Sequence, residues 1–463
     1  MASRAIRGTV VRFCGDPFGP AGRDTLAFDE DQLIVVKDGI IASVEPAASA
    51  LSRLPADTTV DHYPDAILSP GFIDAHVHYP QMGMIGSAGE ELLGWLNRFT
   101  FPAEMRFADP GHARDVAGLF LRELLRAGTT TAAVYCTVHP HSVDAFFAES
   151  ERFGTRMIAG KVMMDRNAPP ELTDTAASAY RDSAELIARW HGRGRQLYCI
   201  TPRFAPSSSN AQLKAAAQLW REHPGTYVQT HLCETKAEID WVASLFPKRF
   251  SYLHVYDHAG LTGRRAIFGH GVHMSEAELA CCHRTGSALA HCPTSNLFLG
   301  SGLFRLFEAK CSDRPIHVAL GTDLGAGTSF SQLSTMGEAY KVAKLGGNTL
   351  STAQALWLAT AGAAQALDLS DKIGAIEPGR EADIIVLDPA ATPLLTFRTT
   401  YCRDLAETLS VLMTLGDDRA IRATYVAGVP VYDRARQDDP FLYPDQPEAV
   451  SCLAGTPSAT MAP

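Results

Sequence analysis

The stretch at positions 70–78 reads PGFIDAHVH, a turn followed by an apolar run that carries two histidines at its end. Successive side chains of a β-strand point to opposite faces, so His76 and His78 share one face. Two imidazoles placed in this way could reach one metal ion at about 2.0–2.1 Å, the usual zinc–nitrogen distance. An H-x-H pattern alone is weak evidence for a metal, and its meaning depends on the rest of the chain.

Eight strand-like runs of this kind alternate with longer amphipathic stretches. The runs occupy residues 66–78, 129–138, 157–164, 197–204, 227–232, 266–270, 287–291 and 316–322. Stretches such as 112–126, 176–192 and 211–223, which lie between them, have the periodicity of amphipathic helices. A strand followed by a helix, repeated eight times, predicts an α/β fold of the (β/α)8 TIM-type barrel class.

Both ends of the chain are predicted to form β-structure outside the barrel. Residues 33–36 and 40–44 are apolar runs on either side of an Asp-Gly turn, which is a strong hairpin signal. Residues 382–388 and 423–431 read as strands after the last barrel unit. We therefore expect a small β-sandwich domain from residues 1–66 plus 373–440, a barrel over 67–372 and a C-terminal tail over 441–463.

Composition excludes several classes of function. The 463 residues carry a formal net charge of −10, which argues against a nucleic-acid or anionic-membrane surface. No apolar run approaches the roughly 18 residues of a membrane span, and positions 1–13 lack the apolar core of a signal peptide. Ten scattered cysteines without a C-x-x-C pair are typical of reduced thiols. A cytoplasmic protein is expected.

Residues with metal-binding and acid–base chemistry follow several predicted strands. In a barrel the chemistry lies at the carboxyl ends of the strands. Each such residue alone has a plain explanation, such as a core histidine or an aspartate that caps a helix. Together they predict one metal site, and a nitrogen-rich set with one carboxylate favours zinc or iron. The residues are His76 and His78 on strand one, His231 and the nearby Glu234 on strand five, His270 on strand six and Asp323 on strand eight.

With these motifs the chain resembles the metal-dependent amidohydrolase superfamily over essentially its whole length. The shared motifs are PGFIDAHVH at 70–78, TH at 230–231, GHG at 269–271, HCPTSN at 291–296, GTD at 321–323 and IGAIEPGREADIIV at 373–386. Strand four ends in TPRF at 201–204, without the lysine that binuclear members carboxylate, which indicates the mononuclear deaminase branch. Within that branch the segments HYPQ at 78–81, FTFPAE at 99–104, PRF at 202–204 and VYD at 255–257 resemble guanine deaminases.

The resemblance implies a metal centre and an acid–base pair. One Zn²⁺ per chain would be held by His76, His78, His231 and Asp323. His270 would orient the attacking water or the substrate. Glu234 would take the proton of the water and deliver it to a ring nitrogen, while Asp323 would pass protons to the departing ammonia. Guanine would give xanthine and ammonia. Cys233 is one departure, since family members often have a small residue such as serine there.

The resemblance also implies a purine pocket. Gln81 offers a donor and an acceptor, Arg203 offers a forked donor to a carbonyl oxygen and a ring nitrogen, and Phe204 can stack on a base. Trp95 and His231 would complete the pocket, although Trp95 could equally be a packing residue. The alternatives are an adenosine-derivative or cytosine deaminase, a triazine hydrolase, or a scaffold that has lost its metal. Family likeness favours a homodimer.

Overall fold

A computed structural model describes residues 4–88 and 91–436 of the chain. The predicted tail at 441–463 and the last four residues of the predicted small domain lie outside the described residues. The described chain forms a nearly closed parallel barrel surrounded by helices and a separate mixed sheet. The predicted fold class is confirmed, whereas the exact domain boundaries stay a prediction.

The first part of the mixed sheet comes from the N-terminal end. Its strands are β1 (Arg4–Phe13), β2 (Leu26–Lys37), β3 (Ile40–Pro46) and β4 (Thr59–Pro70). Strand β1 pairs antiparallel with β2 and parallel with β4. The predicted hairpin joins β2 to β3, with Lys37 opposite Ile40. Asp38 and Gly39 have φ values of 50° and 80°, as a two-residue turn with two left-handed positions requires.

The barrel strands follow along the chain. They are β5 (Phe72–His78), β6 (Thr129–Tyr135), β7 (Arg156–Gly160), the short β8 (Val162–Met163), β9 (Leu197–Pro202), β10 (Tyr227–Leu232), β11 (Ala266–His270), β12 (Ala288–His291) and β13 (His317–Leu320). All but β8 form a parallel path from β5 to β13, and β8 pairs with β9 alone. The ends of the path approach each other where the Asp323 N–H donates to the His76 carbonyl at 2.8 Å.

The predicted first barrel strand at 66–78 is two strands. Strand β4 belongs to the mixed sheet and β5 to the barrel, with Gly71 between them. The Gly71 N–H donates to the Asp383 carbonyl, and a Cβ at this position would lie 2.2 Å from Thr130 Oγ1. Because both strands are apolar and buried where they meet, periodicity could not show where one sheet ends and the other begins.

Helices cover the outside of the barrel. The longer ones are Pro110–Arg126, Pro140–Phe153, Ala176–Trp190, Asn210–Glu222, Lys236–Leu245, Tyr252–Ala259, Glu276–Thr285 and Gln332–Leu345. Several begin at a serine or threonine whose hydroxyl caps the first turn, as Thr175 and Ser275 do. The predicted helical stretch at 352–367 is two helices, Thr352–Ala359 and Ala361–Ala366, because Thr360 (φ −137°, ψ −103°) leaves the helical region.

A segment of short turns lies over the carboxyl end of the barrel. The chain after β5 forms a 3-10 turn, Tyr79–Met84. It then forms the helical turn Leu92–Trp95, the π-helical turn Leu96–Thr100 and the helix Phe101–Met105. We call residues 92–105 the covering segment. Other short helices are Ala47–Ala50, Pro293–Phe298 and Leu306–Ala309.

The C-terminal part of the mixed sheet returns to the N-terminal strands. Its strands are β14 (Ile384–Leu387), β15 (Ile421–Val426) and β16 (Val429–Asp433), and the sheet order is β16-β15-β14-β4-β1-β2-β3. The pairing of the two chain ends is as predicted. Helices Pro393–Thr399 and Leu405–Leu415 lie between β14 and β15, where the sequence analysis predicted none.

An ion-pair cluster joins the sheet to the barrel. Arg156 on β7 donates to Glu381 at 2.8 Å, and Arg195 donates to Glu381 at 3.0 Å and to Asp383 at 3.0 Å. No helix in the described part of the chain is long and apolar enough to cross a membrane.

Candidate active site

Five metal-ligand-type side chains from four barrel strands meet in one place. His78 Nε2 lies 3.2 Å from His231 Nε2 and 3.3 Å from Asp323 Oδ1. His76 Nε2 lies 3.4 Å from the same aspartate oxygen, and His270 Nε2 lies 3.9 Å from Oδ2. The parallel strands carry these residues at their carboxyl ends, as the sequence predicted.

The arrangement fits a metal ion. His76, His231, His270 and Asp323 each offer one ligand atom, and these atoms all lie within 4.8 Å of one another. His76 Nε2 and His270 Nε2 are buried without a hydrogen-bond partner among the described residues. Four ligands at about 2.0–2.1 Å from a tetrahedral ion would be about 3.4 Å apart, close to the shorter separations seen. This geometric group includes His270, to which the resemblance assigned an orienting role.

Hydrogen bonds at Nδ1 orient two of the imidazoles so that their Nε2 atoms face the candidate metal position. His231 Nδ1 lies 2.7 Å from the Arg203 carbonyl, which can only accept, so Nδ1 carries the proton. His270 Nδ1 lies 2.9 Å from Asn296 Oδ1. Both contacts leave Nε2 as the free lone pair that a metal needs. Asn296 lies in the HCPTSN motif, but no pattern in the sequence assigns it this role.

Burial sets the protonation of these groups. It lowers the pKa of His78 to about 3 and the pKa of His231 well below its usual range. Burial alone would raise the pKa of Asp323, but its contacts with His76 and His78 outweigh that effect and hold it well below the usual range. Neutral imidazoles facing an ionised carboxylate are the protonation states that bind a cation.

Three strand-end residues have a left-handed backbone. Cys233, His270 and Asp323 have φ values of 50°, 70° and 48°. Such conformations cost non-glycine residues about 1–3 kcal/mol and are maintained only when the surroundings require them. They turn the chain sharply after β10, β11 and β13, at or next to the residues whose side chains enter the site.

Glu234 lies beside the four histidines and Asp323, which together we call the donor group for a metal ion. Ser301 donates to Glu234 Oε1 at 3.0 Å, and Oε2 lies 3.5 Å from His270 Nε2. Burial, and secondly the negative charge of Asp323, raise the pKa of Glu234 to about 8. A carboxyl group with such a pKa can both accept and release a proton near neutral pH. Ser301 was not predicted, because no sequence motif links it to Glu234.

Asp74 fixes the eighth strand to the first. Its carboxylate accepts the Thr322 N–H at 3.0 Å and the His76 N–H at 3.2 Å, and it also accepts the Thr322 hydroxyl. Burial raises its pKa to about 6. Asp74 therefore positions both His76 and the residue before Asp323. Asp74 lies within the PGFIDAHVH motif, but no function was predicted for it.

A cavity opens beside this group. It is lined by all five side chains predicted to form the base pocket, Gln81, Trp95, Arg203, Phe204 and His231, together with His78, Glu234, His270, Asp323, Leu92, Leu96, Leu299 and Ala326. The Trp95 indole N–H already donates to the Ser87 carbonyl at 2.8 Å. Trp95 therefore presents an apolar wall to the cavity.

Arg203 pairs with a buried carboxylate, Glu104, for which no role was predicted from the sequence. Both oxygens of Glu104 lie 2.8 Å from Arg203 Nη1, and the side chains of Glu104 and Arg203 are only 1% and 3% exposed. Gln81 Nε2 donates to Glu104 Oε1 at 3.3 Å. Glu104 lies on Phe101–Met105, so the covering segment supplies the buried carboxylate that pairs with Arg203 behind the cavity wall. The contact joins residues 99 positions apart and leaves no local sequence pattern.

The fold and the site together define a class of protein: a (β/α)8 barrel hydrolase whose strand ends carry a histidine-rich donor group for a metal ion. Comparisons with known proteins agree. The amidohydrolase family pattern matches residues 67–431. The guanine deaminase of Escherichia coli (strain K12) is 49% identical over 93% of this chain and 98% of its own length.

Solved structures are similar over the same extent. The structure of E. coli guanine deaminase has a TM-score of 0.90 at 48% identity and covers 94% of this chain and 100% of its own. That of guanine deaminase from C. acetobutylicum, with guanine bound in its active site, has a TM-score of 0.82 at 31% identity, covering 93% and 100%. The chain belongs to the amidohydrolase family and, within it, to the guanine deaminases.

Proposed function

We propose that this chain hydrolyses guanine to xanthine and ammonia. One observation carries the proposal: the buried pair of Arg203 and Gln81 lines the same cavity as the histidine–aspartate donor group. A flat heterocycle held by the first pair would present its exocyclic amine to the second. The guanine deaminases to which the chain is similar act on this base.

One zinc ion per chain would be held by His76, His78, His231 and Asp323, with His270 close enough to join them. A bound zinc would lower the pKa of a coordinated water toward about 7 and supply the nucleophile. The hydrogen bonds at Nδ1 of His231 and His270 keep their Nε2 atoms directed at that position. The donor set of three or four imidazoles and one carboxylate is one that zinc favours.

Proton transfer is assigned to the two carboxylates. Glu234 accepts the proton of the attacking water through Oε2, since Ser301 occupies Oε1, and gives it to a ring nitrogen. His270, 3.5 Å from that oxygen, orients the water or the substrate. Asp323 accepts the second proton and passes it to the amine, which leaves as ammonia. One water is consumed, one carbon–nitrogen bond breaks and one carbon–oxygen bond forms.

Base recognition is assigned to the polar and aromatic side chains that line the cavity beside the metal position. Arg203 donates to the carbonyl oxygen and a ring nitrogen of guanine, and Gln81 holds a further polar edge. Phe204 and Trp95 bound the flat faces, and His231 closes the pocket beside the metal position. A cavity built around hydrogen bonds to a carbonyl rejects bases that lack it, because its own polar groups are then left unpaired.

Purified protein assayed for ammonia with guanine, adenine, cytosine, guanosine and melamine tests the proposal. We expect turnover of guanine with formation of xanthine, and rates on adenine and cytosine lower by several powers of ten. Equal rates on guanine and adenine would contradict it. Elemental analysis should find one metal per chain, and it also decides between zinc and iron.

We also propose a homodimer in the cytoplasm. The dimer rests on family likeness, and sedimentation at several protein concentrations tests it. The cytoplasm is supported by the cysteines, because none of the nine in the described residues is in a disulfide and most are buried. Fractionation of the cells that express the chain tests this location.

A further inference from the structure

We propose that Glu104 is a positioning residue that sets substrate specificity by orienting Arg203 and Gln81 against the base. The inference rests on the proposed function and adds a residue to it. Glu104 itself does not line the cavity. Glu104 acts through Arg203 and Gln81, the two partners that do line the cavity.

Glu104 holds the guanidinium of Arg203 through a single nitrogen. Both carboxylate oxygens of Glu104 lie 2.8 Å from the same nitrogen, Nη1. In residues 4–88 and 91–436 this guanidinium makes no other hydrogen bond, so its remaining N–H groups are left for a ligand in the cavity. A bidentate contact through two guanidinium nitrogens would have occupied the pair of parallel N–H groups that a base needs. The backbone of Arg203 is also fixed, since its N–H donates to the Met163 carbonyl.

The same carboxylate also holds the side-chain amide of Gln81. Its Nε2 donates to Glu104 Oε1, which leaves the amide oxygen on the other side. Gly325 (φ +123°) packs against that side, where a Cβ would lie 2.3 Å from Gln81 Oε1. Gln81 is thus held between a carboxylate and a glycine, and the direction of its amide depends on Glu104.

Glu104 also balances the positive charge of Arg203. Arg203 is almost fully buried, and an unpaired guanidinium in such a place would be costly. Glu104 neutralises it without entering the cavity, so the recognition wall offers hydrogen-bond donors but little net charge. That suits a neutral base whose carbonyl oxygen accepts a hydrogen bond. A negatively charged ligand would be favoured if Glu104 were absent.

The test compares guanine with 2-aminopurine, which lacks the carbonyl oxygen but keeps the amine. In Glu104→Gln we expect kcat/KM for guanine to fall about 10²-fold, mainly through KM, the size of loss that follows misplacement of a binding group. For 2-aminopurine we expect a change of less than about threefold, because the oriented contact is not used. Zinc content should be unchanged. The ratio of kcat/KM for guanine to kcat/KM for 2-aminopurine should therefore decrease.

Met105→Leu is the matched control, since it alters the next residue of the same helix and removes no hydrogen bond to Arg203 or Gln81, and it should keep the ratio. If Glu104→Gln does not fold, Glu104→Asp gives the same test, because the shorter carboxylate withdraws from both partners but keeps the charge. A ratio that stays at the wild-type value in the folded variant overturns the inference while guanine deamination stands. Failure of the wild-type chain to deaminate guanine overturns both.

Discussion

At the scale of single residues, the site depends on atoms that do not touch a substrate. The Arg203 carbonyl orients His231, Asn296 orients His270, Ser301 holds one oxygen of Glu234 and Asp74 holds the strand before Asp323. Each leaves one atom of its partner free to face the cavity. The direction of the free atom, more than the kind of side chain, therefore decides which residues can bind a metal or move a proton.

Glu234→Gln tests the proton transfer. Glutamine keeps the hydrogen bond with Ser301 but cannot accept a proton, so turnover of guanine should fall at least about 10²-fold. Metal content should stay at the wild-type value. The exposed Glu185→Gln is the control and should have normal kinetics. Near-normal turnover in Glu234→Gln would remove Glu234 from the mechanism.

Arg203→Ala should affect stability as well as binding. It leaves the Glu104 carboxylate buried without its cation, which typically costs about 3–5 kcal/mol. We expect a lower urea midpoint together with a higher KM for guanine. In the double variant Arg203→Met, Glu104→Gln neither charge remains, so most of the stability should return while guanine binding stays poor. Equal stability of the wild type and Arg203→Ala would show that the pair is not effectively buried.

At the scale of secondary-structure elements, the connection from β4 to β5 determines the position of the site residues on β5. Gly71 lies where the chain leaves the mixed sheet for the barrel, and its N–H pairs with the carbonyl of Asp383. The barrel strand that follows carries Asp74, His76 and His78. Any shift of β5 along its axis would therefore move two proposed ligands and Asp74, which holds the residue before Asp323.

Gly71→Ala should disturb this passage. The added Cβ would lie 2.2 Å from Thr130 Oγ1 and 2.7 Å from its Cγ2, so the strands must move apart. Overpacking of this kind usually costs about 1–3 kcal/mol, and we expect weaker metal binding as well as lower stability. Gly346→Ala is the control, since a Cβ there meets atoms no closer than 3.5 Å. Calorimetry and metal titration of both variants measure the difference.

At the scale of the whole molecule, the barrel and the mixed sheet are joined by buried charge. Glu381 accepts from both Arg156 and Arg195 and is itself largely shielded from water. Burial alone would raise its pKa, but the hydrogen bonds and positive charges of the two arginines outweigh this and lower it. The pairing couples the stability of the junction to pH.

The pH dependence follows from the lowered pKa. A carboxylate with a lower pKa when folded contributes stability above its unfolded pKa of about 4.3 and loses it as the pH falls through the folded pKa. The free energy of unfolding should therefore decrease below about pH 4.3. In Glu381→Gln this part of the decrease should disappear, and stability at pH 7 should be lower. Urea titrations at a series of pH values compare the two proteins, and parallel curves would contradict the assignment.

The sequence by itself determined the alternation of strands and helices, the hairpin at Asp38 and Gly39, and the set of residues at the strand ends. These features depend on period and on nearest neighbours along the chain, so they can be read locally. The tertiary structure decided the division of residues 66–78 between two sheets, the pairing of Glu104 with Arg203, and the contacts of Asn296 and Ser301. These contacts join residues from 26 to 99 positions apart, and only the closing of the barrel brings them together. A buried charge or amide has no periodic pattern, so its partner becomes known only when the fold has placed both.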